Sequence, residues 1–354
     1  MRLFNTLRFV RDELQKLPDL TSKPSGGLSY FCDRIGRALA LIRLEKEILV
    51  FAALQWLFIS LGYLLWIQML DWIPDEVWRS AANSRRGSIV DVVLTIWSFF
   101  VVGLVAFPVG LLSGCIGATH FLHRQDMPAT VTTSVNVVLP SVWSLWLFHW
   151  VDGWITVKQI LERLPKKRRR SPMRRLASET AYYAWKLGVS GVLPSLVTGS
   201  NLVRSGKNSV RFVKENLSDV AKLRLGYSAL CWLVGVTTYL CTAVMFSIVD
   251  VVPEKDAVYR YVYDAYLWAA LPICVAVAIV SVLLRPVYLI ALCELYADHL
   301  ATRGINPNAP DSPSKLRSAM IAFVALITIL AAVYGFRDEL GVTALLSTPY
   351  PSTQ

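Results

Sequence analysis

Residues 49–70 read LVFAALQWLFISLGYLLWIQML. No charged side chain interrupts this run, and as a helix it is long enough to cross the roughly 30 Å hydrocarbon core of a bilayer. Charge returns at once on both sides, at Glu45, Lys46 and Glu47 before it and at Asp71, Asp75 and Glu76 after it. A helix of that length in a water-soluble protein carries a charged or polar face. This one does not, and it predicts a membrane span.

Upstream, Leu28 to Leu44 punctuates apolar residues with Arg34, Arg37 and Arg43. That is a basic juxtamembrane helix, cytoplasmic by the charge rule. The first residues, MRLFNTLRFVRDELQKLPDL, break their apolar positions with charges and form no signal-peptide core. They read as an amphipathic helix on the membrane, followed by a loop at SKPSGG (22–27). Downstream, DWIPDEVWRSAANSRRGS turns the chain over into a second span, Ile89 to Ile116, charged only at Asp91. Pro108 kinks it, and Gly103, Gly110, Gly114 and Gly117 give it a small-residue face for close helix packing.

The whole composition agrees with this reading. Of 354 residues, 55% are hydrophobic and 17% charged, against about a quarter in soluble domains. The net charge of +11 is assigned to a basic cytoplasmic face over anionic phospholipid, not to nucleic acid. Six cysteines form no CxxC pair, and neither a disulfide framework nor a cofactor is indicated.

The middle of the chain departs from simple hairpins. His120, His123 and Asp126 in HFLHRQD stand close on a helix end. They are weak candidates for a metal set, against the plainer role of hydrogen bonding at the interface. In residues 131–155, Pro140 divides an apolar stretch, and Trp143, Trp146, Trp150 and Trp154 recur at helical spacing as one aromatic stripe. The basic block KKRRRSPMRR follows, with Lys166, Lys167, Arg168, Arg169 and Arg170 at its head. Such a block is costly to export, so 157–177 is expected in the cytoplasm and 131–155 is expected to be re-entrant or interfacial. The stripe and the block are then an anchor for lipid or a partner. Residues 178–200, with Lys186, Gly188, Gly191, Pro194 and Gly199, read as a second incomplete insertion. Broken helices line polar cavities in transporters, and His149, Asp152 and Lys186 are the candidate cavity residues.

Arg204 to Arg224 is a basic helix leading into a span at Leu225–Val251 and another at Ala265–Leu284. Arg285 with Pro286 is read as the end of that hydrocarbon segment. Glu294 and Asp298 then share one face, and Met320–Val333 is the core of a last span. The two hairpins share a layout, basic helix, span, outer loop and span, that hints at a parallel repeat.

The run RLEKE before the first span, W-x-x-W-x-F-H-W-x-D-G-W-I-T over Trp143–Thr156, QILERLPKK (159–167) and YYAWKLG (182–188) resemble an uncharacterised group of multi-pass bacterial membrane proteins. The resemblance covers about the first 220 residues and implies a bacterial inner-membrane placement, with no activity or catalytic residue attached.

The expected fold is an all-α polytopic membrane protein: two helical hairpins and a C-terminal span, with re-entrant or interfacial elements between the hairpins. Its parts are cytoplasmic helices (1–46), a first hairpin (47–118), the incomplete elements (119–202), a basic helix and second hairpin (203–300), a loop (301–316) and a final span with tail (317–354). The expected function is a non-enzymatic subunit or scaffold of an inner-membrane assembly, with the N terminus cytoplasmic. It would pair with another membrane protein or a second copy. The alternatives are a transporter or channel for a lipid or small solute, and an intramembrane enzyme. Few ionisable residues fall deep inside the confident spans, which weighs against a coupled transporter.

Overall fold

The computed structural model describes residues 28–69, 89–163, 172–248, 271–305 and 316–336, and the described residues are helices joined by short turns. The chain is an all-α polytopic membrane protein, and among the described residues five helices are long and apolar enough to cross a bilayer. Four of them coincide with expected spans. The fifth is Val131–Gln159, which has the length and hydropathy of a crossing where an incomplete element was expected.

Helix α1 (Leu28–Leu44) is amphipathic and buries Arg34, Ala38, Leu41 and Ile42 on one face. After a turn at Glu45 and Lys46, α2 (Glu47–Gln68) is apolar all round. Its buried stripe of Ile48, Phe51, Ala52, Gln55 and Gly62 faces α3 (Ile89–Arg124), while Leu54, Leu57, Leu61 and Leu64 are left exposed. An exposed leucine face on a helix of this length is what hydrocarbon solvates.

The small-residue face of α3 is an internal seam. A methyl group on Gly110 would stand 3.0 Å from the Leu145 carbonyl oxygen, and one on Gly114 2.7 Å from Val138. Both neighbours belong to the next pass, α4 (Val131–Val138) and α5 (Val142–Arg163), joined by a 3-10 turn at Leu139–Ser141 that contains Pro140. The side chain of Thr130 caps α4 by accepting from the Thr133 amide at 3.3 Å. The tryptophan stripe turns largely inward. Trp146 Nε1 donates to the Gly103 carbonyl at 2.8 Å and Trp150 Nε1 to that of Phe99 at 3.0 Å, while Trp154 meets Phe99 edge-on. Trp146 is buried and Trp143, Trp150 and Trp154 are half-buried. Trp146 and Trp150 are thus spent on packing α5 against α3.

These contacts define a register. Residue 138 lies beside 114, 150 beside 103 and 154 beside 99, so α4 and α5 run antiparallel to α3 for most of its length. Lys158 and Gln159 consequently lie at the end of the bundle where α3 begins, opposite Arg124 and α1. Charge alone put 157–177 on the same side as the N terminus; the helix register points the other way for Lys158. Lys166 to Arg170 lie outside the described residues.

The chain returns through α6 (Pro172–Gly188) and α7 (Val192–Val197), broken at residues 189–191. All six residues of α7 are buried, and Val197 and Leu193 reach Gly117 of α3. Helix α8 (Leu202–Glu215) satisfies the break. Ser209 Oγ accepts from the Gly191 amide at 2.9 Å and donates to the Gly188 carbonyl at 2.7 Å. Non-helical backbone at membrane depth persists only where such partners exist. This is the incomplete element expected over 178–200, folded into the protein core.

The second hairpin pairs α9 (Leu217–Ile248) with α10 (Leu271–Ile279), which passes through a π-turn at Val280–Leu284 into α11 (Arg285–Thr302). Pro286 has no amide hydrogen and cannot continue the α ladder; the Arg285 amide instead reaches back to the Val280 carbonyl. Helix α12 (Leu316–Gly335) packs on α3 and α5, with Phe323 stacked on Phe107 at 4.1 Å.

Two predictions follow from the register and the seam. In a background lacking native cysteines, Lys46→Cys and Lys158→Cys are expected to label with an impermeant maleimide from opposite sides of the membrane; labelling from the same side contradicts the register. Gly103→Ala places a methyl 2.5 Å from the Trp150 ring and is expected to cost about 1–3 kcal/mol of stability by overpacking. Gly36→Ala, with nothing within 4 Å, is the control that leaves the unfolding temperature in detergent unchanged or raised.

Candidate functional site

Two breaks, at residues 189–191 and at the π-turn, are linked through Ser190 and Tyr288, the latter one turn past the π-turn. Between them, Asp152 on α5 meets Lys186 on α6, with Lys186 Nζ 2.7 and 2.8 Å from the two carboxylate oxygens. Trp185 Nε1 donates to the same carboxylate at 3.1 Å. Lys186 closes the last turn of α6, and its backbone carbonyl accepts from Ser190 Oγ and from the Arg224 guanidinium, both at 2.9 Å. The carbonyl freed by the helix break is thereby held by a second cation.

Arg285 arrives from the other break. Its guanidinium donates to Ser113 Oγ at 3.4 Å, and Ser113 in turn accepts from Gln55 Nε2 at 3.1 Å. Among the described residues Arg285 forms no ion pair within 4 Å. Asp152 is the carboxylate whose charge reaches it. Three residues on, Tyr288 hydrogen-bonds with Ser190 and Arg224 and stacks on Tyr227 at 4.5 Å. One turn before Asp152, His149 Nδ1 lies 3.0 Å from the Leu145 carbonyl, within reach of the charges of Arg285, Asp152 and Lys186. A carbonyl only accepts, so Nδ1 carries the hydrogen, and in the neutral ring Nε2 is then the acceptor.

The depth of this cluster follows from helix rise. Ser113 is about 16 Å along α3 from Arg124, and Gln55 about 12 Å along α2 from Glu47. Half of a ~30 Å core is a similar distance, which puts Ser113 and the Arg285 guanidinium well inside the bundle, while Asp152, between residues 150 and 154 that pack beside 103 and 99, lies nearer the end where α3 begins. Asp152, Lys186, His149, Arg224, Tyr227, Arg285 and Tyr288 are all half-buried rather than sealed. Among the described residues the cluster holds three cations, Lys186, Arg224 and Arg285, against one carboxylate, Asp152.

His149, Asp152 and Lys186, the cavity residues expected from the sequence, are thus brought together. Arg285, Arg224, Ser113, Gln55, Tyr227 and Tyr288 were missed. The sequence reading ends a span at Arg285-Pro286; both residues stand inside the continuous helical stretch Leu271–Thr302. The resumption of apolar residues in VYLIALC after them was the available signal.

The structure does not gather His120, His123 and Asp126 into a metal set. His120 is buried with its Nε2 lacking a hydrogen-bond partner, His123 Nδ1 lies 3.1 Å from Glu45, and Asp126 takes a left-handed turn at φ 54°. Among the described residues no three His, Cys, Asp or Glu side chains are placed to hold a metal ion. The first and second hairpins do pack side by side, and their acids meet arginines: Arg34 to Asp298 at 2.9 Å, Arg37 to Glu294 at 2.9 Å, and Arg124 to Asp298 at 3.2 Å. These pairs tie α1 to α11 and α3 at one end of the bundle. Glu294 and Asp298, spaced as a cation pair would be, are already neutralised.

No protein-family model, curated protein or solved structure matches this chain.

Removing one partner of a half-buried pair strands the other charge, whereas removing both does not. A double-mutant cycle of Asp152→Asn and Lys186→Met, read by unfolding in detergent, is expected to show a coupling of about 1–3 kcal/mol. Additive single effects contradict the pair.

Proposed function

We propose that this chain is a transport protein of the bacterial inner membrane, with its N terminus in the cytoplasm and a substrate-binding centre inside the bilayer. The observation that carries the proposal is Arg285, held at a helix break without an ion pair among the described residues, beside the Asp152–Lys186 bridge. An arginine at the centre of a membrane helix costs about 2.5–3.5 kcal/mol even on the mildest scale. A protein needing only to present surfaces to a partner has no use for that expense. The expectation of a scaffold leaned on deep ionisable groups being few, and Arg285, Lys186 and Asp152 remove that premise. Discontinuous helices meeting at a charged midplane site are the arrangement that alternating access uses.

A second reading, as subunit of an assembly, has one observation in its favour. Helix α9 is the least buried of the five candidate spans, with Trp232, Leu225 and Leu233 among its most exposed side chains. Lipid accounts for such a face as well as a protein does. Mild-detergent purification from the native membrane distinguishes them, because a stoichiometric protein partner retained on α9 favours the assembly.

The transport reading is tested in proteoliposomes with the full chain, following two probes: radiolabelled inorganic phosphate uptake and dithionite quenching of a fluorescent phospholipid. The wild type is expected to accelerate one of them, and Arg285→Gln and Asp152→Asn to reduce that flux at least about tenfold, the loss of one charged hydrogen bond. Wild-type vesicles indistinguishable from protein-free ones on both probes contradict the proposal.

A further inference from the structure

Resting on that reading of the centre, we infer the chemical class of what it holds: a phosphate monoester or free phosphate dianion. The first argument is charge. Lys186, Arg224 and Arg285 face Asp152 alone, an excess of two positive charges among the described residues. A phosphate monoester carries about −1.5 to −2 at neutral pH, while a carboxylate or a phosphodiester carries one charge. In a low-dielectric slab, the ligand that leaves no net charge behind is the one that binds with least penalty.

Donor count gives the second argument. Arg285 spends one long hydrogen bond on Ser113, so most of its five N–H groups remain for a ligand, in the fork that matches a planar pair of phosphate oxygens. Ser113 on Arg285, Tyr227 within reach of its charge and Tyr288 stacked on Tyr227 add hydroxyls, and Tyr288 is already held by Arg224 and Ser190. Arg224 is tethered to the Lys186 carbonyl and contributes chiefly as a fixed charge. In its neutral form His149 presents Nε2 as an acceptor, which suits the hydroxyl that a free phosphate dianion retains and a monoester dianion lacks. Five elements, α3, α5, α6, α9 and α11, contribute groups to this cluster.

Other ligand classes fit worse. A metal cation finds its one candidate carboxylate, Asp152, already neutralised by Lys186 at 2.7 Å. An uncharged solute leaves the excess cations uncompensated. The phosphate is either the head of a membrane lipid or a soluble ion, and the binding measurements separate the two.

The test is binding to the purified full chain in detergent, with native mass spectrometry for dioleoyl phosphatidic acid, dioleoyl phosphatidylglycerol and oleate, and equilibrium dialysis for inorganic phosphate and sulfate. Phosphatidic acid is expected to be retained over phosphatidylglycerol and oleate by at least about tenfold. Arg285→Gln should abolish that preference, and Arg285→Lys, which keeps the charge, should restore part of it. Each variant is compared only where it elutes as a single species with wild-type unfolding temperature; Ser113→Ala and Tyr288→Phe serve in place of an arginine variant that does not. Retention of phosphatidic acid undisplaced by inorganic phosphate identifies a lipid head group, and saturable phosphate binding without lipid identifies the free ion; both support the inference. Arg285-dependent binding of oleate or phosphatidylglycerol equal to that of phosphatidic acid overturns the phosphate assignment and leaves transport standing. Absence of any Arg285-dependent ligand overturns the inference, and the flux measurement then decides the transport reading by itself.

Discussion

The bridge between Asp152 and Lys186 constrains this protein more than any other contact. Two opposite charges 2.7 Å apart cost little at a protein surface and a great deal in the middle of a hydrocarbon slab. Their desolvation is tolerable only if the surrounding helices supply further polar partners. Trp185 gives the carboxylate a third hydrogen bond, and the carbonyl of Lys186 itself is taken by Ser190 and Arg224. Most of the irregular features nearby serve the same end. The interruption at 189–191 brings α6 to its close at Lys186 and Gly188, and Ser209 caps the backbone groups it exposes.

Around that centre the packing is arranged to admit close approach. The glycines of α3 allow α5 to run within van der Waals contact of its backbone, which places His149 against Gly110 and Asp152 one turn further on. The same contact turns Trp146 and Trp150 onto α3 carbonyls. At the other end of the bundle the arginines of α1 grip Glu294 and Asp298 of α11. Arg285 stands at the opposite end of α11 from those acids. A tilt of α11 about its π-turn therefore moves both the central guanidinium and the ion pairs at the bundle end. Pi-turns recur at functional sites for this reason: they break the helix without ending it.

Much of this was legible in the sequence because hydrocarbon imposes so blunt a rule. Residues 49–70 announce a span by lacking charge, and α2 is that span. The pairing of Asp152 and Lys186 was half-visible, since each interrupted an apolar stretch without an evident surface role. Arg285 was not, because an arginine followed by proline has the local signature of a helix leaving the membrane; the π-turn that lets the helix go on is a backbone event with no sequence mark. The direction of 131–159 was obscured by a competing principle. Charge placement argued against a crossing before the basic block, whereas Gly103, Gly110 and Gly114 fix α5 antiparallel along α3, and helix packing is specified by shape rather than by charge. The tryptophan stripe shows the same limit: periodicity establishes that four indoles share a face, and only the partner helix decides which way that face points.

Cryo-electron microscopy of the full chain in a lipid nanodisc, with both head-group planes resolved, tests the central claim most directly through the depth of Arg285 and Asp152. The account predicts both charged groups inside the hydrocarbon, between the two head-group planes, with Lys186 still on Asp152. Finding them level with either head-group plane would make the cluster an ordinary interfacial network and contradict it.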